Sequence, residues 1–379
     1  MHDPVSFEEM RGHLLTLEDV RGQLAATEPL IQSTFFPSDD VEFTVPPAWA
    51  GAGDDDDCGA VLKTRDDDFT LSKISLLEAG AAVGIPRKLQ ERMPARILQD
   101  ALHWWFRGGA GGKEFKVLAS RSPDLDRPLA RAMCRGTVVP FSNLALLDIA
   151  TERIRARYGD DAEILADYKF HHDLELTSLR LIIPGHARVI SGTRVADDTW
   201  CAGIDMRNSL IGLKPTDFAG YLFRYWCTNG ETDTLNSTGK FSRREKHTEA
   251  DVWDWARMAV DEVLGGLDAS FDSVQMLTSI PVDGNVQVVL DDLFARYEIP
   301  KRECIRVKAD LAVAEDDLTM YDIQEAVTRA ANADGLPPRA VSNLLTMGGH
   351  IAHAATGRCS ACQRLLPEGY VPPEPAHAV

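Results

Sequence analysis

Residues 199–230 read TWCAGIDMRNSLIGLKPTDFAGYLFRYWCTNG. Two runs within this stretch, TWCAGIDMRNSLIG and FAGYLFRYWCTNG, are rich in β-branched and aromatic residues and are bounded by Gly, Pro, Asn or Asp. Such side chains suit a pleated, packed surface, and the bounding residues suit turns. LELTSLRLIIPG and ARVISGTRV precede them at short spacing and carry the same signature. Four such runs in succession predict an antiparallel sheet. Asn229-Gly230 marks a turn that tolerates positive φ.

Helical periodicity surrounds that sheet. Thr248 can cap a helix, with Asp251 three residues on and Val252, Trp255, Ala256, Ala259 and Val263 forming one apolar face. Upstream, KEFKVLAS and AMCRGTVVPF read as strands, and residues 143–158 as a helix. From Thr70 to Phe106 the pattern is helical, broken at Gly84-Ile85-Pro86 and reopened at Pro94, ending in HWWFRGG. The late segments DLTMYDIQEAVTRAANADG and AVSNLLTMGGHIAHAATGRC are helical as well. The expected class is α+β, an antiparallel sheet packed with helices. Three zones are expected: an acidic tail or linker over 1–57, the α+β main domain over 58–268 and a helical C-terminal region over 269–379. Removing the tail is expected to leave the fold intact and to strengthen nucleic-acid binding.

The chain has 379 residues, 44% of them hydrophobic, which is enough for a sizeable core. No apolar run reaches the roughly 18 residues of a membrane span, and MHDPVSFEEM lacks the features of a signal peptide. Seven cysteines, mostly scattered singly, suit reduced thiols. A cytoplasmic protein is expected, and a homo-oligomer is compatible with the sequence.

The formal net charge is −18, but it is unevenly placed. Residues 1–70 hold 16 acids and 4 bases, whereas residues 71–135 hold 12 bases and 6 acids. Residues 180–246 add a milder basic zone of 10 bases and 7 acids. Nucleic acid is therefore an admissible partner despite the acidic total. Candidate phosphate contacts are Arg87, Lys88, Arg92 and Arg96, near Trp104 and Trp105, and Arg224, Lys240, Arg243, Arg244 and Lys246, near Tyr225 and Phe241. The last four bases precede a helix start, where backbone N–H groups already favour anions. Bases on helices also serve as plain solvated surface, and a Trp-Trp-Phe run also serves as core. LLEAGAAVGIPRKLQERM further admits a helix-turn-helix.

The run GIDMRNSLIGLKPTDFAGYLFRYWCTNG, the RREKHT after it and the late LTMYDIQEAVTRAAN resemble the phage and plasmid-related family catalogued as "domain of unknown function 932". Upstream, LARAMCRGTVVPFSNLALLDIA resembles the family's strand, turn and helix, with Arg135-Gly136-Thr137-Val138 standing where Ser-Asp-Arg-Tyr is common. The resemblance spans roughly residues 60–350 and implies a prophage, phage or mobile-element setting beside DNA replication and recombination. In that setting the expected role is non-catalytic: single-stranded DNA binding or annealing, similar to that of the RecT and Red-beta annealases. The alternatives are a helix-turn-helix regulator of duplex DNA and an interaction or inhibitor protein acting through its acidic tail.

No Walker loop, GxSxG elbow or HExxH motif is present, and the carboxylates of 54–57 and 66–68 form runs rather than spaced pairs. His350, His353, Cys359 and Cys362 are spaced HxxH, five residues, CxxC. Two imidazoles and two thiolates make a tetrahedral set suited to a structural zinc. The other reading is two packed histidines and an ordinary dithiol.

Overall fold

The computed structural model describes residues 11–371 apart from 13, 28–30, 53–56, 110–112, 121–125, 136–140, 168–170, 173–175, 211–214, 226–228, 238–248, 283–285, 314–317, 332, 334 and 355–361. The chain runs through β1 (Leu15–Thr16), α1 (Leu17–Thr27), β2 (Ile31–Pro37), β3 (Glu42–Thr44), β4 (Asp57–Lys63) and β5 (Asp68–Ser72). Next come α2 (Lys73–Ala82), α3 (Arg87–Gln90), α4 (Ala95–Trp104), β6 (Glu114–Ser120), β7 (Leu129–Arg135) and α5 (Asn143–Tyr158). Strands β8 (Leu165–Ala166), β9 (His171–His172), β10 (Thr177–Val189), β11 (Thr199–Asn208), β12 (Asp217–Arg224) and β13 (Asn229–Ser237) follow. Helices α6 (Glu249–Leu277), α7 (Val286–Arg296), α8 (Lys301–Val313), α9 (Met320–Ala330) and α10 (Pro338–Ala352) complete the fold. It is α+β. Among the described residues, no helix is long and apolar enough to cross a membrane.

The expected antiparallel sheet is present, in the order β1-β8-β10-β11-β12-β13 with β9 also on β10. LELTSLRLIIPG and ARVISGTRV are not two strands: residues 177–189 form one strand whose register shifts between Ile182 and Ala187. Pro184-Gly185 lies in that interval, where proline cannot donate to a ladder and glycine suits a bulge. Gly203, opposite Ile182, admits no side chain, because a Cβ there would lie 1.8 Å from the Leu181 carbonyl oxygen. One sheet face, with Leu181, Trp200, Ile204, Phe218 and Leu222, joins the main core. Helix α6 packs across β11, β12 and β13 and buries Val252, Ala256, Ala259 and Val263, as its apolar period predicts.

A second sheet, in the order β2-β6-β7-β5-β4-β3, has its own core. Only the β5–β7 pair is parallel. The described residues of 1–57 are therefore not a tail. They supply β1, α1, β2 and β3, and they bury Val20, Leu24, Phe36, Phe43, Val45 and Trp49. The period-two alternation of buried Val41, Phe43 and Val45 with exposed Glu42 and Thr44 is that of a half-buried strand. Of its described acidic residues, Glu18, Asp19, Asp39, Glu42 and Asp57 are exposed and Asp40 is half-buried.

Candidate nucleic-acid interface

The basic island of residues 86–108 is built on the second sheet. Helix α2 ends at Gly84, whose φ of 84° lets Ile85 N–H donate back to the Gly80 carbonyl at 2.9 Å. The chain then re-enters helix at α3. Gln90, fully buried, donates its amide to the Leu77 carbonyl at 3.0 Å and the Ile85 carbonyl at 2.7 Å. These bonds pin α3 to α2. A Cβ at position 80 would lie 2.2 Å from Gln90 Oε1, so a side chain there would displace the Gln90 amide.

Helix α4 turns Leu98, Leu102 and, in the π-turn that follows it, Phe106 into the core. Phe106 lies 4.9 Å from Phe115 and 5.2 Å from Phe43 between ring centroids. Phe43 N–H donates to His103 Nε2 at 2.7 Å, and Val45 N–H donates to Gln99 Oε1 at 3.0 Å. Helix α4 thus satisfies two donors at the β3 edge of the sheet, a device that also blunts an open edge. Burial first, and the Arg107 charge second, push the His103 imidazole below its usual range and keep it neutral as an acceptor. On α2, burial pushes the Glu78 carboxyl up to about 7, while its bond from Met133 N–H and the Arg87 charge pull it down.

The outer face carries the cations. Arg87, Lys88, Arg92 and Arg96 are all exposed, and Arg107, absent from the sequence expectation, joins them. None makes an ion pair with a described residue. Glu91 and Asp100 are the exposed acids among them. Interleaved are Leu89, Ile97 and Trp104, exposed to 51%, 54% and 74%. The Trp-Trp-Phe run therefore divides. Trp104 faces solvent, Trp105 lies edge-on to Phe106 at 5.3 Å, and Phe106 is buried core. Beside this face an open cleft of about 480 Å³ is lined by Asp39, Asp40, Glu42, Lys63, Arg65 and Asp68, with Arg107 on its wall. Its lining is mixed, four carboxylates against three cations, and Arg65 pairs with Asp40.

Arg224, of the second expected cluster, does not join this face. Arg224 is 1% exposed and belongs to the core. Its guanidinium donates to both Asp198 carboxylate oxygens at 2.6 Å and pairs with Glu325 Oε1 at 2.7 Å. Tyr321 OH donates to Asp198 Oδ2 at 2.6 Å, and Arg329 pairs with Glu325. Arg224 is thereby corrected from a phosphate contact to a structural ion-pair residue. Tyr225 is buried too, its hydroxyl against the Cys201 thiol. Lys240, Phe241, Arg243, Arg244 and Lys246 lie outside the described residues.

Helix α10 carries His350, whose ring lies 5.5 Å from that of Tyr297. His353, at the end of α10, and Cys362 are buried, and Cys359 lies outside the described residues. Among the described residues, no three His, Cys, Asp or Glu side chains are grouped as a metal would need. Comparison of the chain with family models, with curated proteins and with solved structures finds no match.

Proposed function

We propose that the chain is a non-catalytic nucleic-acid-handling protein that binds single-stranded DNA along Arg87, Lys88, Arg92, Arg96 and Arg107. The observation that supports this is the set of exposed cations without ion-pair partners among the described residues, held on helices anchored to the second core. Cations already paired to protein carboxylates gain little from a phosphate, whereas unpaired ones release bound counterions when they meet one. The resemblance in the sequence favours a phage or mobile-element setting, in annealing during recombination or replication. Duplex reading by a helix-turn-helix is less favoured, because α3, which stands where the recognition helix would be, has four residues. A recognition helix must lie in a major groove and present several side chains to it.

Changing Arg87, Lys88, Arg92 and Arg96 together to Ala is expected to weaken single-strand binding. It should also flatten the plot of log affinity against log salt by about 0.7 for each lost phosphate contact. Mobility shifts over a salt series measure both. Wild-type affinity and slope in the variant would refute the assignment.

We also propose, on ligand chemistry and spacing, that His350, His353, Cys359 and Cys362 hold one structural zinc ion. Nδ1 of His350 is buried and makes no hydrogen bond among the described residues, so a ligand role would satisfy it. Metal analysis of protein purified without chelator is expected to find about one zinc per chain, lost on changing Cys359 and Cys362 to Ser. Metal-free protein from a zinc-replete preparation overturns this.

A further inference from the structure

Resting on that reading of the basic face, we propose that Trp104 is a base-stacking platform, and that it makes the face select an unpaired strand over a duplex. Trp104 is 74% exposed and makes no ring contact with any described residue. Every other described tryptophan is buried or partly buried: Trp49 and Trp200 in the two cores, Trp105 against Phe106, and Trp253 and Trp255 against Phe141. A large aromatic left in water carries more information than an exposed Leu, because it forgoes the largest apolar burial available to a side chain.

Its backbone is fixed. Leu98, Leu102 and Phe106 hold the inner side of the helix, and Gln99 and His103 bond it to β3. A platform on a helix restrained in this way costs little ordering when a ligand arrives. Arg96 lies eight residues before Trp104, two turns back and about 12 Å along the axis. Arg107 follows three residues after it, within the π-turn Trp105–Gly109. Trp104 therefore sits between two exposed cations. A strand whose phosphates follow these cations passes the indole and can lay an unstacked base on it, which a duplex with stacked bases cannot do.

A lipid surface fits the same cations less well. The continuous apolar side of α4 is spent on the protein core, so among the described residues of this face only Leu89, Ile97 and Trp104 remain for an acyl layer. An interfacial helix buries a whole apolar face.

The test uses the full chain with three probes: an oligothymidylate, an abasic strand of equal length and the corresponding duplex. Trp104→Ala is expected to weaken oligothymidylate binding about 10-fold, the scale of one lost base stack, with the salt slope kept. Abasic binding should be unchanged, and Trp104→Phe should retain most of the affinity. Quenching of tryptophan fluorescence by the oligothymidylate should disappear in Trp104→Ala. Wild-type affinity and quenching in Trp104→Ala, an equal loss toward the abasic strand, or capture by phosphatidylserine vesicles that depends on Trp104 would each overturn the platform. If Trp104→Ala binds normally while the four-cation variant does not, the platform falls and the basic face stands. If neither variant loses affinity, or the wild type binds no strand at all, both fall.

Discussion

Arg224→Met is expected to destabilise the protein by about 3–5 kcal/mol, the usual cost of removing one partner from a buried ion pair. Its guanidinium is held by Asp198 and Glu325, which are 0% and 7% exposed. Without it, Asp198 keeps the Tyr321 hydroxyl and Glu325 keeps Arg329, but two carboxylates then share a buried site with one cation. The charges come from β12, from the turn before β11 and from α9, so the group ties the C-terminal helices to the sheet. Burial raises the Tyr321 hydroxyl well above its usual range, with Asp198 adding to it and Arg224 opposing. That hydroxyl remains a donor to Asp198 at any ordinary pH. Adding Asp198→Asn and Glu325→Gln to Arg224→Met should recover part of the loss, because the stranded charges are removed with their partner. Urea unfolding measures all three chains. A loss below about 1 kcal/mol in Arg224→Met would mean that the pairs are worth no more than surface ones. The same variant, where folded, should keep its salt slope for DNA, since Arg224 reaches no solvent.

This residue shows where sequence reading stops. An arginine in a run of aromatic residues before an Asn-Gly pair resembles a groove contact as closely as a core ion. What decides between them is Asp198 and Glu325, 26 and 101 positions away, and no local pattern announces them. Local patterns succeeded where the signal is periodic. Helix α5 runs over the expected residues 143–158, and Val252, Ala256, Ala259 and Val263 are buried as one face. Arg87, Lys88, Arg92 and Arg96 were legible as a cationic zone because they crowd a short segment with few acids. Trp104 was not separable from Trp105, because a π-turn begins between them and sends the second ring inward. The second sheet was hidden by composition. Val41, Phe43 and Val45 alternate as a strand does, but the Asp-rich runs on either side have the composition of a solvated tail.

Removing residues 1–57 is expected to abolish folding of the second sheet, the reverse of what the acidic composition suggests. The deletion strips β2 from its full seven-residue register with β6 and β3 from β4. It takes Phe36, Val41, Phe43, Val45 and Trp49 from one core and Val20 and Leu24 from the other. At about 1.5–3 kcal/mol for each fully buried apolar side chain, the loss is on the order of 10–20 kcal/mol, as large as the whole stability of a typical domain. It also uncovers β4 and β6 as new edges and strands the His103 and Gln99 acceptors that Phe43 and Val45 now satisfy. The truncated chain should aggregate or melt without a cooperative transition, as calorimetry and size-exclusion chromatography would record. A subtler probe is Trp49→Ala, which removes a side chain that is 1% exposed and should cost about 3–5 kcal/mol. Loss of the sheet would also dismantle the platform under α3 and α4, so single-strand binding should fall with it. If the truncated protein melts like the full chain and binds DNA more tightly, the first 57 residues are a charge screen after all, and the second sheet does not depend on β2 and β3.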